Sequence, residues 1–118
     1  SSTTPCAVAA CAMDGSQLSE SKRIVFIYNT DNINDDIKLD SSRTLMRKKP
    51  SPNSKILIKR GKMSAKLKVP ADKKYKMYEL KYSGERRAEI PLECVGGELS
   101  INIDNSKNPS TFFEIVAE

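Results

Sequence analysis

Apolar and polar residues alternate at every second position through much of this chain, the periodicity of a strand with one dry face and one wet face. The clearest stretch is Met63, Ala65, Leu67 and Val69, interleaved with Ser64, Lys66 and Lys68. Leu99, Ile101 and Ile103 alternate in the same way with Ser100, Asn102 and Asp104, and Ala88, Ile90 and Leu92 keep the same beat. Shorter strands are predicted where Ile37 and Leu39 alternate with Lys38 and Asp40, over Thr44 to Arg47, over Lys55 to Lys59, and over Thr111 to Val116. Arg23 to Tyr28 is a dense run of β-formers, expected for a strand inside a sheet. From Tyr75 to Tyr82 the phase slips: Tyr75 and Met77 fall on one face, Tyr78, Leu80 and Tyr82 on the other. That slip predicts a bulge near Met77.

Turn-forming residues punctuate these runs. Asn29 to Asp36, Lys48 to Asn53, Arg60 to Lys62, Pro70 to Lys73, Ser83-Gly84, Gly96-Gly97 and Asp104 to Ser110 read as loops or turns. Seven to nine short strands at this spacing predict an all-β fold, an antiparallel β-sandwich or a partly open barrel. Residues 1–22 are small and polar and read as a flexible N-terminal arm, with room for one helical turn over 16–21. Residues 23–118 form a single β-sandwich domain. A chain of 118 residues can bury roughly two-thirds of its unfolded surface, enough for one core.

Charge changes the picture. The net charge is +5, but it is unevenly spread. Arg43 to Arg87 holds 16 basic and three acidic residues, a net of +13, while the flanking segments carry −3 and −5. A basic patch of Lys55, Lys59, Arg60, Lys62, Lys66, Lys68, Lys73, Lys74 and Lys76 follows, with Lys55 to Lys68 read as one hairpin turned at Gly61. Clustered positive potential attracts phosphates, anionic lipid headgroups or acidic proteins. Tyr75, Tyr78 and Tyr82 offer stacking surfaces nearby. The competing reading is a solvated lysine-rich face that discourages edge-to-edge pairing. No groove-entering helix or RNA-binding aromatic signature accompanies the charge.

Catalytic chemistry finds little to work with. The chain has no His, so Ser and Cys nucleophiles lack their usual base. Glu89 and Glu93, read on one strand, stand roughly 13 Å apart, too far for a paired-carboxylate glycosidase. Asn32, Asn34 and Asp36, with Asp31 and Asp35, gather oxygen ligands, but no closing Glu and no central Gly make an EF-hand of them, and they read as a polar turn. No catalytic residue, metal site or cofactor is predicted.

Three cysteines are present: Cys6, Cys11 and Cys94. Either they are idle thiols, or Cys6 or Cys11 joins Cys94 in a disulfide that ties the arm to the body. Val8-Ala9-Ala10-Cys11 resembles a bacterial lipobox, but no charged start and apolar stretch precede it. No run approaches the ~20 apolar residues of a membrane-spanning helix.

Gly97 to Asp104 followed by Phe112-Phe113-Glu114-Ile115 resembles the closing hairpin of ToxA-like fungal effectors, and Arg23 to Thr30 is similar to an earlier strand of that family. The resemblance implies a secreted β-sandwich that acts by engaging host proteins and is not an enzyme. The chain departs from the family where Arg60-Gly61 is followed by Lys62, in place of an Arg-Gly-Asp loop, and in its cysteine positions. The sequence therefore leads to a secreted, non-catalytic interaction protein, a pathogen effector or toxin with a host-protein partner. The alternative is a basic module for nucleic acid or an acidic lipid surface, acting through residues 55–76.

Overall fold

The computed structural model describes residues 1–36, 38–39, 41–42, 46–48 and 51–118. Its regular structure there is strand, apart from one 3-10 turn at Leu18–Glu20 within the span where a helical turn was expected. In chain order the strands are β1 (Ala7–Ala12), β2 (Arg23–Asn29), β3 (Asn32–Asn34), β4 (Lys38–Leu39), β5 (Met46–Lys48), β6 (Ile56–Ile58), β7 (Lys62–Lys68), β8 (Tyr75–Leu80), β9 (Arg86–Ile90), β10 (Glu93–Val95), β11 (Glu98–Asp104) and β12 (Phe112–Ala117). All their pairings are antiparallel.

Two sheets make the body, one ordered β1-β2-β12-β8-β9 and the other β10-β11-β7. Both have open ends, so the fold is an antiparallel sandwich and not a closed barrel. The core is the product of the alternation. Ile24, Phe26, Tyr28, Met77, Phe113 and Ile115 point inward from the large sheet, and Met63, Leu99, Ile101 and Ile103 from the small one. Each such side chain, fully buried, contributes roughly 1.5–3 kcal/mol. Gly96 and Gly97 close the β10–β11 hairpin with positive φ at both positions, the two-residue turn whose twist suits a hairpin.

The expected N-terminal arm contains a strand. Ala7–Ala12 pairs with β2 along its whole length, and Ser1 to Thr3 lie along β7, with Ser2 bridging Met63. Alanine carries little β-propensity, so the segment gives no strand signal; the β2 edge supplies the order. Asp14 pins the β1–β2 connection. Its carboxylate accepts from the Lys22 N–H at 2.7 Å and the Ser21 hydroxyl at 2.9 Å.

The described residues between 31 and 60 leave the body as a second ribbon. β3 pairs with β6 and, further out, β4 pairs with β5. The molecule measures 54 × 28 × 26 Å, and its radius of gyration, 16.8 Å, exceeds the roughly 13.5 Å of a compact chain this long. β3 falls within the expected Asn29–Asp36 loop. β4 and β5 overlap the strands expected over 37–40 and 44–47, of which residues 37, 40, 44 and 45 lie outside the described residues. So do residues 49 and 50 of the Lys48–Asn53 loop.

Four further expectations shift. The bulge near Met77 sits between Glu79 and Leu80, because Glu79 continues the inward phase of Tyr75 and Met77 as a buried carboxylate. Pro91 separates β9 from β10, which lie in different sheets, so Glu89 and Glu93 do not share a strand. β6 and β7 are not a hairpin: β6 pairs with β3 and β7 with β11. The two halves of the presumed closing hairpin, β11 and β12, likewise lie in different sheets.

Candidate functional site

The basic segment does not fold into one surface. Lys62, Lys66 and Lys68 project from the wet face of β7, opposite Asp104, Ser100 and Glu98 on β11. There the acidic C-terminal third meets the basic middle. Lys66 Nζ binds Glu98 Oε1 at 2.7 Å, and Lys62 Nζ lies 3.8 Å from Asp104 Oδ2. The Glu98 hydrogen bond holds the Lys66 ammonium above its ordinary pKa. Lys76 is taken up by Glu118 at 2.9 Å, with the same effect. Three of the nine patch residues are thus paired with acids, at exposed positions where such pairs contribute little.

The remaining six separate into two groups. Lys59 and Arg60 sit at the root of the ribbon and Lys55 further out past β6, while Lys68 ends β7 and Lys73 and Lys74 follow it, the two ends of that strand being roughly 20 Å apart. The tyrosines diverge as well. Tyr75 is buried and donates its hydroxyl to the Ser21 carbonyl at 3.1 Å. Tyr78 lies on the outer face with the Arg86 guanidinium 4.1 Å above its ring, and Tyr82 meets Phe112 edge to face at 6.0 Å. They form no common stacking platform.

The ribbon leaves apolar surface uncovered, as do Val8, Met13, Tyr82 and Val95 singly on the body. Ile56 is 69% and Leu57 50% exposed. They lie between Lys55 and the pair Lys59-Arg60. The sequence from Lys38 to Lys49 adds five basic residues against one acid. The polar residues once weighed as calcium ligands hold this ribbon together. Asn34 Nδ2 donates to Ser54 Oγ at 2.7 Å, Asp35 Oδ1 accepts from the Lys55 N–H at 3.0 Å, and Asp36 Oδ2 from the Ser51 N–H at 2.8 Å. The Ser51 N–H holds the Asp36 carboxyl below its usual range. Among the described residues no cluster of three metal-ligating side chains occurs.

The root of the ribbon is clamped by one carboxamide. Asn105 Oδ1 accepts from the Gly61 N–H at 2.8 Å, and its Nδ2 donates to the Lys59 carbonyl at 2.9 Å. Thr30 Oγ1 donates to that same carbonyl at 2.6 Å. Asparagine in a predicted loop carries no sequence signal for this role.

On the outer face of the large sheet Glu114 is 7% exposed and takes two guanidiniums at 2.8 Å, Arg23 Nε on one oxygen and Arg86 Nε on the other. Burial pushes its carboxyl up, but the hydrogen bonds from Arg86 and Arg23 outweigh it and hold the pKa below the ordinary value. Glu79 is buried nearer the ribbon, accepting from Ser110 N–H and Asn108 Nδ2, both at 3.1 Å. Both carboxylates are spent on structure.

Cys6, Cys11 and Cys94 are exposed free thiols, so the disulfide expected from the arm to the body does not form here. Cys11 lies on β1 at the edge of the large sheet and Cys94 on β10 at the edge of the small one. The two hollows against β7, of about 440 and 550 Å³, are lined by polar strand residues such as Ser64 and Asn102. Comparison with protein-family models, curated proteins and solved structures finds no match. No described helix is long and apolar enough to cross a membrane.

Proposed function

We propose that this chain is a non-catalytic β-sandwich interaction protein that presents the 31–60 ribbon to an acidic, partly apolar surface of a partner protein. One observation carries the reading: Ile56 and Leu57 stand exposed on an element that leaves the body, flanked by basic residues. As neighbours on β6 the two point to opposite faces of the ribbon, which therefore offers apolar surface with cations nearby on both sides and suits an acidic cleft that closes around it. Secretion, and a host protein as the partner, are the part supported by the resemblance to ToxA-like effectors in Arg23–Thr30, Gly97–Asp104 and Phe112–Ile115.

A second reading takes the same ribbon to an anionic membrane, with the two aliphatic side chains entering the headgroup region. The β11 acids that pair with the β7 lysines favour the ribbon over the rest of residues 55–76 as the site. The test is a double variant, Ile56→Ser with Leu57→Ser. Both residues are exposed, so the fold should persist, checked by an unchanged unfolding midpoint. Crosslinked partner recovery from host extract should fall at least tenfold. Binding to anionic vesicles that falls instead, with no protein partner lost, selects the membrane. Unchanged capture of protein, vesicles and heparin alike removes the ribbon as the site.

A further inference from the structure

We infer that β1 pairs edge to edge with β1 of a second copy of this chain, antiparallel about a two-fold axis, joining two large sheets into one. Unpaired strand edges are templates for association, and proteins normally blunt them with charge, proline, bulges or cover. Three of the four edges of the sandwich are treated this way. β9 carries Arg86, Arg87 and Glu89, is bulged opposite Leu80, and runs into Pro91. β10 has three residues and starts at Glu93. β7 is covered by Ser1 to Thr3. β1 lacks charge, proline and bulge: its six residues, Ala-Val-Ala-Ala-Cys-Ala, are uncharged, their register with β2 is unbroken, and beside them lies the short 3-10 turn Leu18–Glu20.

The hydrogen bonds show which groups that edge offers. Met13 N–H donates to the Arg23 carbonyl at 2.8 Å, and the register places 13 opposite 23. In an antiparallel ladder the hydrogen-bonded pairs alternate, so residues 7, 9, 11 and 13 spend their backbone groups on β2. Tyr28 N–H donating to the Thr111 carbonyl agrees, since it turns the even residues of β2 toward β12. Val8, Ala10 and Ala12 therefore direct N–H and C=O outward.

A two-fold axis normal to the sheet keeps faces matched, so only residues of equal parity oppose one another. The register that uses every outward group sets Val8 against Ala12 of the second copy and Ala10 against its own counterpart, making six hydrogen bonds. Ala9 then faces Cys11 of the second copy in a non-hydrogen-bonded pair, with Cα atoms about 4.5 Å apart. The second copy is the fitting occupant because the edge is self-complementary: both sides bring small uncharged side chains, and neither brings a charge that the other must neutralise. Such short strands bury less than the roughly 1,000 Å² of a firm interface, so the dimer forms at high protein concentration. Two copies of net charge +5 repel at long range. Salt screens that repulsion and strengthens the dimer, the opposite of its effect on ribbon binding to an acidic surface.

Sedimentation or light scattering of the reduced full chain should show the mass rising from 13.1 kDa toward twice that value with concentration and salt. Ala10→Pro removes an outward N–H while sparing the bonds to β2, a position where an edge strand tolerates proline. It should restore the monomer. Should that variant fail to fold, Ala9→Lys, on the exposed outer face, should do the same by like-charge repulsion. Register is read in a Cys6→Ser, Cys94→Ser background with Ala9→Cys, using oxidised glutathione. The introduced thiol and Cys11 of the other copy form a disulfide, their two protons and two electrons passing to glutathione disulfide to give two reduced glutathiones. The Cα spacing lies within the roughly 4.4–6.8 Å that a disulfide spans. A covalent dimer that requires Ala9→Cys supports the pairing. A wild-type chain that stays at 13.1 kDa at high concentration and salt overturns it, as does equal crosslinking without Ala9→Cys. Ile56→Ser with Leu57→Ser leaves this dimer intact, so its failure is separate from that of the ribbon.

Discussion

Asn105 and Gly61 hold each other by two hydrogen bonds, Gly61 N–H to Asn105 Oδ1 at 2.8 Å and Asn105 N–H to the Gly61 carbonyl at 3.2 Å. With Asn105 Nδ2 also on the Lys59 carbonyl, one buried side chain fixes the chain where the ribbon rejoins the sandwich. Among the described residues the ribbon's strands pair with each other and not with the sandwich, so its direction relative to the body depends on this joint.

Replacing Asn105 by Ala leaves the Gly61 N–H and much of the Lys59 carbonyl's bonding unmet. An unsatisfied buried group costs about 1–3 kcal/mol. Asn105→Ala should lower the unfolding free energy by that amount, read as a urea midpoint reduced by about 1 M at an unchanged slope. It should also raise the rate of limited proteolysis near Lys59-Arg60 ahead of cleavage elsewhere. Uniform cleavage with an unchanged midpoint would show that the ribbon is held some other way.

Gly61 is confined by its neighbours and not by its backbone. A Cβ there would lie 2.5 Å from Thr4 Cγ2 and 2.8 Å from Tyr28 Oη. Thr4, near the chain start, can give way, but Tyr28 is fixed in the core. Overpacking of this sort costs about 1–3 kcal/mol. Gly61→Ala should therefore destabilise the fold, and amide exchange should rise first along Ser1 to Thr4 as that segment is pushed off β7. Full protection there, with wild-type stability, contradicts the close packing.

The sandwich itself was legible because its strands obey a period of two: the alternation of Met63–Val69 and Leu99–Ile103 marks β7 and β11, and Gly96-Gly97 marks the turn before β11. What escaped detection has a physical cause in each case. β1 is mostly alanine, whose strand depends on the β2 edge beside it. The bulge lies later than expected because Glu79, a carboxylate among the apolar positions of β8, is buried among Ser110, Asn108 and Arg87. The basic patch failed as one surface because charge in a sequence says nothing of cross-strand partners. Glu98 and Asp104 lie more than thirty residues from the lysines they meet. The strand over Lys55 to Lys59 was legible but the exposure of Ile56 and Leu57 was not, since three consecutive apolar residues do not reveal which, if any, has a neighbour.

Acid should expose the role of Asp14. Hydrogen bonds from the Lys22 N–H first, then from the Ser21 hydroxyl, lower its pKa from 3.8 to about 2. A folded-state pKa below the unfolded one means that the unfolded chain binds more protons between the two values, so stability rises with pH there. The contribution is complete above about pH 4, declines as pH falls toward 2, and is lost below that. Asp14→Asn keeps the size of the side chain but cannot accept all of these bonds. Its melting temperature should lie below that of wild type at pH 7, and the gap should narrow from pH 4 downward and nearly close at pH 2. Thermal melts followed by circular dichroism across this range decide the matter: a gap as wide at pH 2 as at pH 7 would assign the loss to shape rather than to the carboxylate's charge.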